Sequence, residues 1–132
     1  MRRRGSTMVE SALVTTTFIF LLVAIMDFGR LGFTYNSLTY AAHRAARFAA
    51  TNGSTSAQPA TQPTIQSNVQ SNLVALDTSS KSLTVTVTWP SNNNNPGSQV
   101  QVVVAYKFQP LLIPVSSTVL TLKSTSTEYI TQ

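Results

Sequence analysis

MRRRGSTMVESALVTTTFIFLLVAIMDFGR, residues 1–30, decides how the rest of the chain is read. Three arginines, Arg2 to Arg4, stand before Gly5, and no charged residue occurs from Ser11 to Met26. A basic block followed by an apolar run is the pattern of an export signal. An ordinary secretory signal, however, places its small-residue cleavage site after the apolar run, and IMDFGR, residues 25–30, offers no Ala-x-Ala sequence there. The small residue comes earlier, at Gly5. That order predicts removal of the basic leader alone, residues 1–5, with cleavage between Gly5 and Ser6 and the apolar helix kept on the mature protein.

Ser11 to Met26 makes a helix of about 24 Å, short of the roughly 30 Å hydrocarbon core of a bilayer. Adding Phe28, Leu31 and Phe33 brings the segment to spanning length, so residues 6–33 are expected to form the transmembrane part. Glu10 borders that segment, and an ionised carboxylate costs about 2.5–3.5 kcal/mol at the bilayer centre. Two readings fit it. A new amine at Ser6 would lie about one turn away and could pair with Glu10, within one chain or between neighbours. Alternatively, Glu10 sits at headgroup level near a helix N-terminus, where acids are favoured. Asp27 and Arg30, three apart on one helical face, are expected to pair at the outer membrane interface.

Beyond the apolar run, Leu31, Tyr35, Leu38, Ala42, Ala45, Ala46 and Ala49 recur at helical spacing. Thr34, Asn36, Ser37, Arg44 and Arg47 fall mainly elsewhere. The helix is therefore expected to run from Ser6 to about Ala50, with residues 34–51 as an amphipathic extension and Asn52-Gly53 as its stop. Residues 52–132 make the head. Ile65, Val69, Leu73 and Leu76 predict a short helix over 64–76, after a linker marked by Pro59 and Pro63. Strict alternation at Leu83, Val85, Val87 and Trp89, then at Val100, Val102, Val104, Tyr106 and Phe108, predicts two strands. Pro110 and Pro114 bracket an apolar link, and a third strand is expected over 119–127. The fold class is α+β: a long N-terminal helix packed on a small three-stranded antiparallel sheet, with one short extra helix.

Composition narrows the function. Of nine Lys and Arg, three lie in the leader and three, Arg30, Arg44 and Arg47, follow the apolar run. The head keeps three lysines against Asp77 and Glu128, so it lacks the basic face with stacking aromatics that a nucleic-acid binder needs. The chain has no cysteine, which removes thiolate metal sites and cysteine nucleophiles. His43 is the one histidine, and the four acids are scattered in sequence. Without a phosphate-binding glycine loop or a nucleophile motif, no catalytic, cofactor-binding or metal site is expected.

RRGSTMVESALV (residues 3–14), MDFGR (26–30) and AAHRAAR (41–47) together resemble the TadE-like pseudopilins of tight-adherence, Flp-type pilus systems. The resemblance is specific over residues 3–50 and looser in the head, where VVVAY (102–106) leads into a proline-bearing link and a Ser/Thr-rich last strand. It implies a pilin-like fold, with Gly5 preceding the prepilin-peptidase cut, Ser6 as the mature N-terminus and Glu10 as the fifth mature residue. Flp major pilins carry an aromatic residue after the glutamate, whereas Ser11 stands here. That departure, with the 132-residue length, points to the TadE-like class.

The expected function is a structural pilus subunit, assembled through its N-terminal helix. Its implied partners are other pilin subunits, the prepilin peptidase, an inner-membrane assembly platform and, before assembly, the lipid bilayer. The expected location is a single-pass bacterial inner membrane with the N-terminus cytoplasmic, followed by the pilus surface. The alternative is a membrane-anchored periplasmic binding or adhesion module that never polymerises.

Overall fold

The computed structural model describes residues 3–73, 76–79, 81–111 and 120–131, with side chains from Ser6 onward. Helix α1 runs Arg3–Thr51, α2 Gln62–Asn72, and strands β1 Leu83–Thr88, β2 Gln99–Phe108 and β3 Leu120–Tyr129 follow. The three strands form one antiparallel sheet in the order β1-β2-β3. The outer half of α1 lies across β2 and β3, and α2 packs against α1 and β1. This is the expected α+β architecture. Arg2, Pro114 and Val119 lie outside the described residues.

The core forms where small residues let backbones approach. Ala41, Ala42, Ala45, Ala46 and Ala49 on α1 are fully buried. They face Val100, Val102 and Val104 of β2, with Ile65 and Val69 of α2 completing the same cluster. On β3 the inward positions are Ser124 and Ser126, both buried. These serines keep the strand's inner face thin, but each brings a hydroxyl that must find a partner. Ser126 Oγ lies 2.9 Å from His43 Nδ1, and Ser124 Oγ donates to Thr39 Oγ1 at 3.3 Å. His43 is thus a cross-element partner from the rim of the helix.

Two local expectations need correction. The helical stripe is turned by one residue near its start: Thr34 is buried at 3% exposure and Tyr35 is 50% exposed. Thr34 tolerates burial because its hydroxyl donates to the Arg30 carbonyl at 2.8 Å. Helix α2 begins at Gln62 rather than Thr64, placing Pro63 inside the first turn, where a missing N–H leaves no bond unmade. Thr61 caps it, its N–H donating to Thr64 Oγ1 at 2.8 Å. The helix ends at Asn72, and Leu73 is buried just beyond it. Helix α1 holds the expected long span and also takes in residues 3–5, so Gly5 and Ser6 sit within its opening turns. At the other end Gly53 does not adopt a left-handed conformation. The stop comes from Asn52, whose backbone N–H and side-chain amide both donate to the Phe48 carbonyl, at 3.1 and 2.9 Å.

The far end of α1 is tied into the head. Thr131 N–H donates to the Ala50 carbonyl at 2.9 Å, and Ala60 N–H to the Asn52 carbonyl at 2.7 Å. The asparagine-rich β1–β2 loop is pinned as well: Ser54 N–H donates to the Asn94 carbonyl at 2.8 Å. Phe108 is buried as expected of a strand-face aromatic, while Trp89 and Tyr106 pack against the core only in part.

Candidate membrane and assembly surface

Helix α1 has two halves with opposite surroundings. Its most apolar 18-residue window has a mean hydropathy of 2.1, and none of that window is buried. Phe18, Ile19, Phe20, Leu21, Leu22 and Ile25 are all more than half exposed or close to it. Thr16 and Thr17 return their hydroxyls to the carbonyls of Ala12 and Leu13, at 2.8 and 2.9 Å. That internal satisfaction is what a polar side chain needs in hydrocarbon. The helix is long and apolar enough to cross a membrane.

The boundary between the halves is Asp27. It is 8% exposed, although the residues flanking it, Met26 and Phe28, are 60% and 79% exposed. Its carboxylate accepts the backbone N–H of Leu111 at 2.8 Å and a guanidinium N–H of Arg30 at 3.2 Å. Arg30 in turn lies over the Phe108 ring, 5.4 Å from its centroid. The predicted Asp27–Arg30 pair therefore sits against the end of β2 and the segment that leaves it. An acid at the edge of an uncharged run signals that a partner exists, but the Leu111 N–H is 84 residues away in sequence and carries no side-chain signature.

Head contacts thus begin at Asp27, six residues inside the expected 6–33 transmembrane segment. Among the described residues, Ser6–Met26 are exposed except for half-buried Val23. Those residues span about 32 Å, close to the hydrocarbon thickness of a bilayer. Near the free end, Ser6, Val9, Glu10, Leu13 and Val14 share one exposed face. Among the described residues, Glu10 makes no ion pair. Gly5 and Ser6 lie one turn before it.

No group of three or more metal-binding side chains occurs among the described residues. Among the described residues one shift in acidity is resolved, at Asp77, which lines the junction between the head and α1. Asp77 accepts the Ser79 N–H at 3.0 Å and the Ser82 and Ser79 hydroxyls at 2.8 and 2.9 Å, and these bonds hold its pKa below the ordinary 3.8.

An uncovered apolar half, an acid at its free end and an alanine-rich half seated on a sheet are thus carried by one helix. Residues 5–47 match the family model described as TadE-like protein. This agrees with the resemblance read from the residues and covers the N-terminal third of the chain. The TadE-like segment covers both halves of α1 and stops before the head. No curated protein and no solved structure matches the chain.

Proposed function

We propose that the protein is a pilin-like structural subunit of a tight-adherence-type pilus, built to leave the bilayer and enter a filament through α1. The uncovered half of α1 carries this reading: residues 18–26 are apolar on every side and, Val23 apart, exposed, while residues 34–50 are already committed to their own head. A surface apolar all round needs hydrocarbon or neighbouring helices to cover it. Before assembly the bilayer does so, with the N-terminus cytoplasmic and the head outside. In the filament, the same residues of other subunits do so.

In this reading the leader is cut between Gly5 and Ser6 by a prepilin peptidase. The new Ser6 amine then meets Glu10, in the same chain or an adjacent one, so that the carboxylate is neutralised inside an apolar bundle. The inner-membrane assembly platform supplies the force of extraction. The competing reading, a non-polymerising periplasmic module, needs the helix only as an anchor and gives Glu10 nothing to do.

The two separate in a Glu10→Gln variant produced in the native cell. The filament reading expects normal amounts in the membrane fraction and loss of at least tenfold from the sheared surface fraction. Equal release of the variant and the parent protein would sink it.

A further inference from the structure

A cavity of about 850 Å³ lies where the base of the head meets α1, lined by Gly29, Arg30, Phe33 and Thr34 on one side and by the end of β2 and the segment around Asp77 on the other. Its lining includes three cationic residues, Arg30, Lys81 and Lys107, together with the apolar side chains of Phe33, Phe108 and Leu111. Arg30 is engaged by Asp27, whereas Lys81 and Lys107 form no ion pair among the described residues. The acid in the lining, Asp77, is turned to its own donors, accepting from the Ser79 N–H and from the hydroxyls of Ser79 and Ser82. The cavity is therefore net positive, with an apolar side next to the exposed helix.

Its depth is set by α1. With residues 6–26 filling the hydrocarbon, Gly29 to Thr34 lie about 5–12 Å beyond it, which overlaps the headgroup layer of a bilayer. A phosphodiester at that depth is the anion within reach, and juxtamembrane lysines attract acidic lipids. Phe33 and Leu111, both more than half exposed, offer cover for the glycerol and the upper acyl chain.

We propose that this cavity holds the headgroup of an anionic phospholipid of the outer-facing leaflet, with Lys81 and Lys107 on the phosphate side and Arg30 held in place by Asp27. The site rests on the membrane-inserted state proposed above. It gives the unassembled subunit a specific lipid contact that must be released when α1 is extracted.

The test uses the full-length protein in phosphatidylcholine bilayers titrated with phosphatidylglycerol, with bound lipid counted by native mass spectrometry after gentle release. One retained phosphatidylglycerol is expected, and Lys81→Gln and Lys107→Gln should each weaken its retention roughly fivefold. Lys123→Gln, exposed on β3 and outside the cavity lining, should leave it unchanged. Equal retention of both lipids, or an equal effect of Lys123→Gln, overturns the proposal. Displacement by inorganic phosphate as effective as by the lipid overturns the lipid assignment and leaves a simple phosphate site. Resistance to carbonate extraction is measured alongside: a protein that fails to insert defeats the membrane reading, whereas one that inserts without lipid preference defeats the site alone.

Discussion

The two halves of α1 are continuous in backbone and opposite in what they need. Between Leu38 and Ala50 the buried positions are mostly alanine, and they face valines across a close helix–sheet contact. Between Ser6 and Met26 the side chains are larger, Phe18, Phe20, Leu21 and Ile25 among them, and these four are more than half exposed. Small residues suit a partner whose backbone is fixed nearby, because close packing depends on their size. Large, flexible ones suit a lipid phase or a bundle of neighbours that adapts to them. One helix is thus finished within its head and unfinished below it, and Asp27 marks the change.

If that division is right, equal truncations in the two halves have unequal effects. Leu38→Ala removes a fully buried side chain and should cost the head about 2–5 kcal/mol, measured by denaturant unfolding in mild detergent. Leu21→Ala, in the uncovered half, should leave that transition unchanged within error. Similar losses from both would erase the contrast between the halves.

The boundary itself gives a smaller effect. Asp27→Ala leaves the Leu111 N–H without its acceptor and Arg30 without its pair, a loss of about 1–3 kcal/mol. Asp27→Asn keeps a carbonyl oxygen for Leu111 and should lose less. Faster amide exchange at Leu111 in the alanine variant, restored in the asparagine variant, would locate the effect at the junction rather than in the core.

The smallest effect lies on the head side of the junction, at Asp77. Asp77 has a folded pKa below its ordinary 3.8, so its bonds stabilise the head above that pH. This contribution fades as pH falls through the folded value. Asp77→Asn should flatten the acid limb of head stability slightly, with no change in membrane insertion. A shift in insertion would link the two regions that the contrast separates.

Much of this division can be read directly from residue order. Alternation at Leu83, Val85 and Val87 and at Val100, Val102 and Val104 is enough to place two strands, because period two has no other explanation over that length. The apolar run and the alanine stripe likewise give the long helix. What residue order hides is which side chains meet across large separations. The Ser126–His43 contact joins residues 83 apart, and a serine in a Ser/Thr-rich strand looks the same whether it faces solvent or a helix. Thr34 and Tyr35 exchange places for a similar reason: threonine reads as polar in a periodic pattern, yet a hydroxyl bonded to the preceding turn is buried at little cost. The Asp27 junction stays hidden too, since its partner is a backbone amide.

The central claim is that residues 6–26 are a pilin-type assembly helix with the leader removed. Intact mass of the protein isolated from native membranes and from the sheared surface fraction tests it most directly. A mass lacking Met1–Gly5, with Ser6 as the N-terminal residue, is expected in both fractions. A full-length mass in a cell with an active prepilin peptidase would contradict it and leave α1 as a membrane anchor.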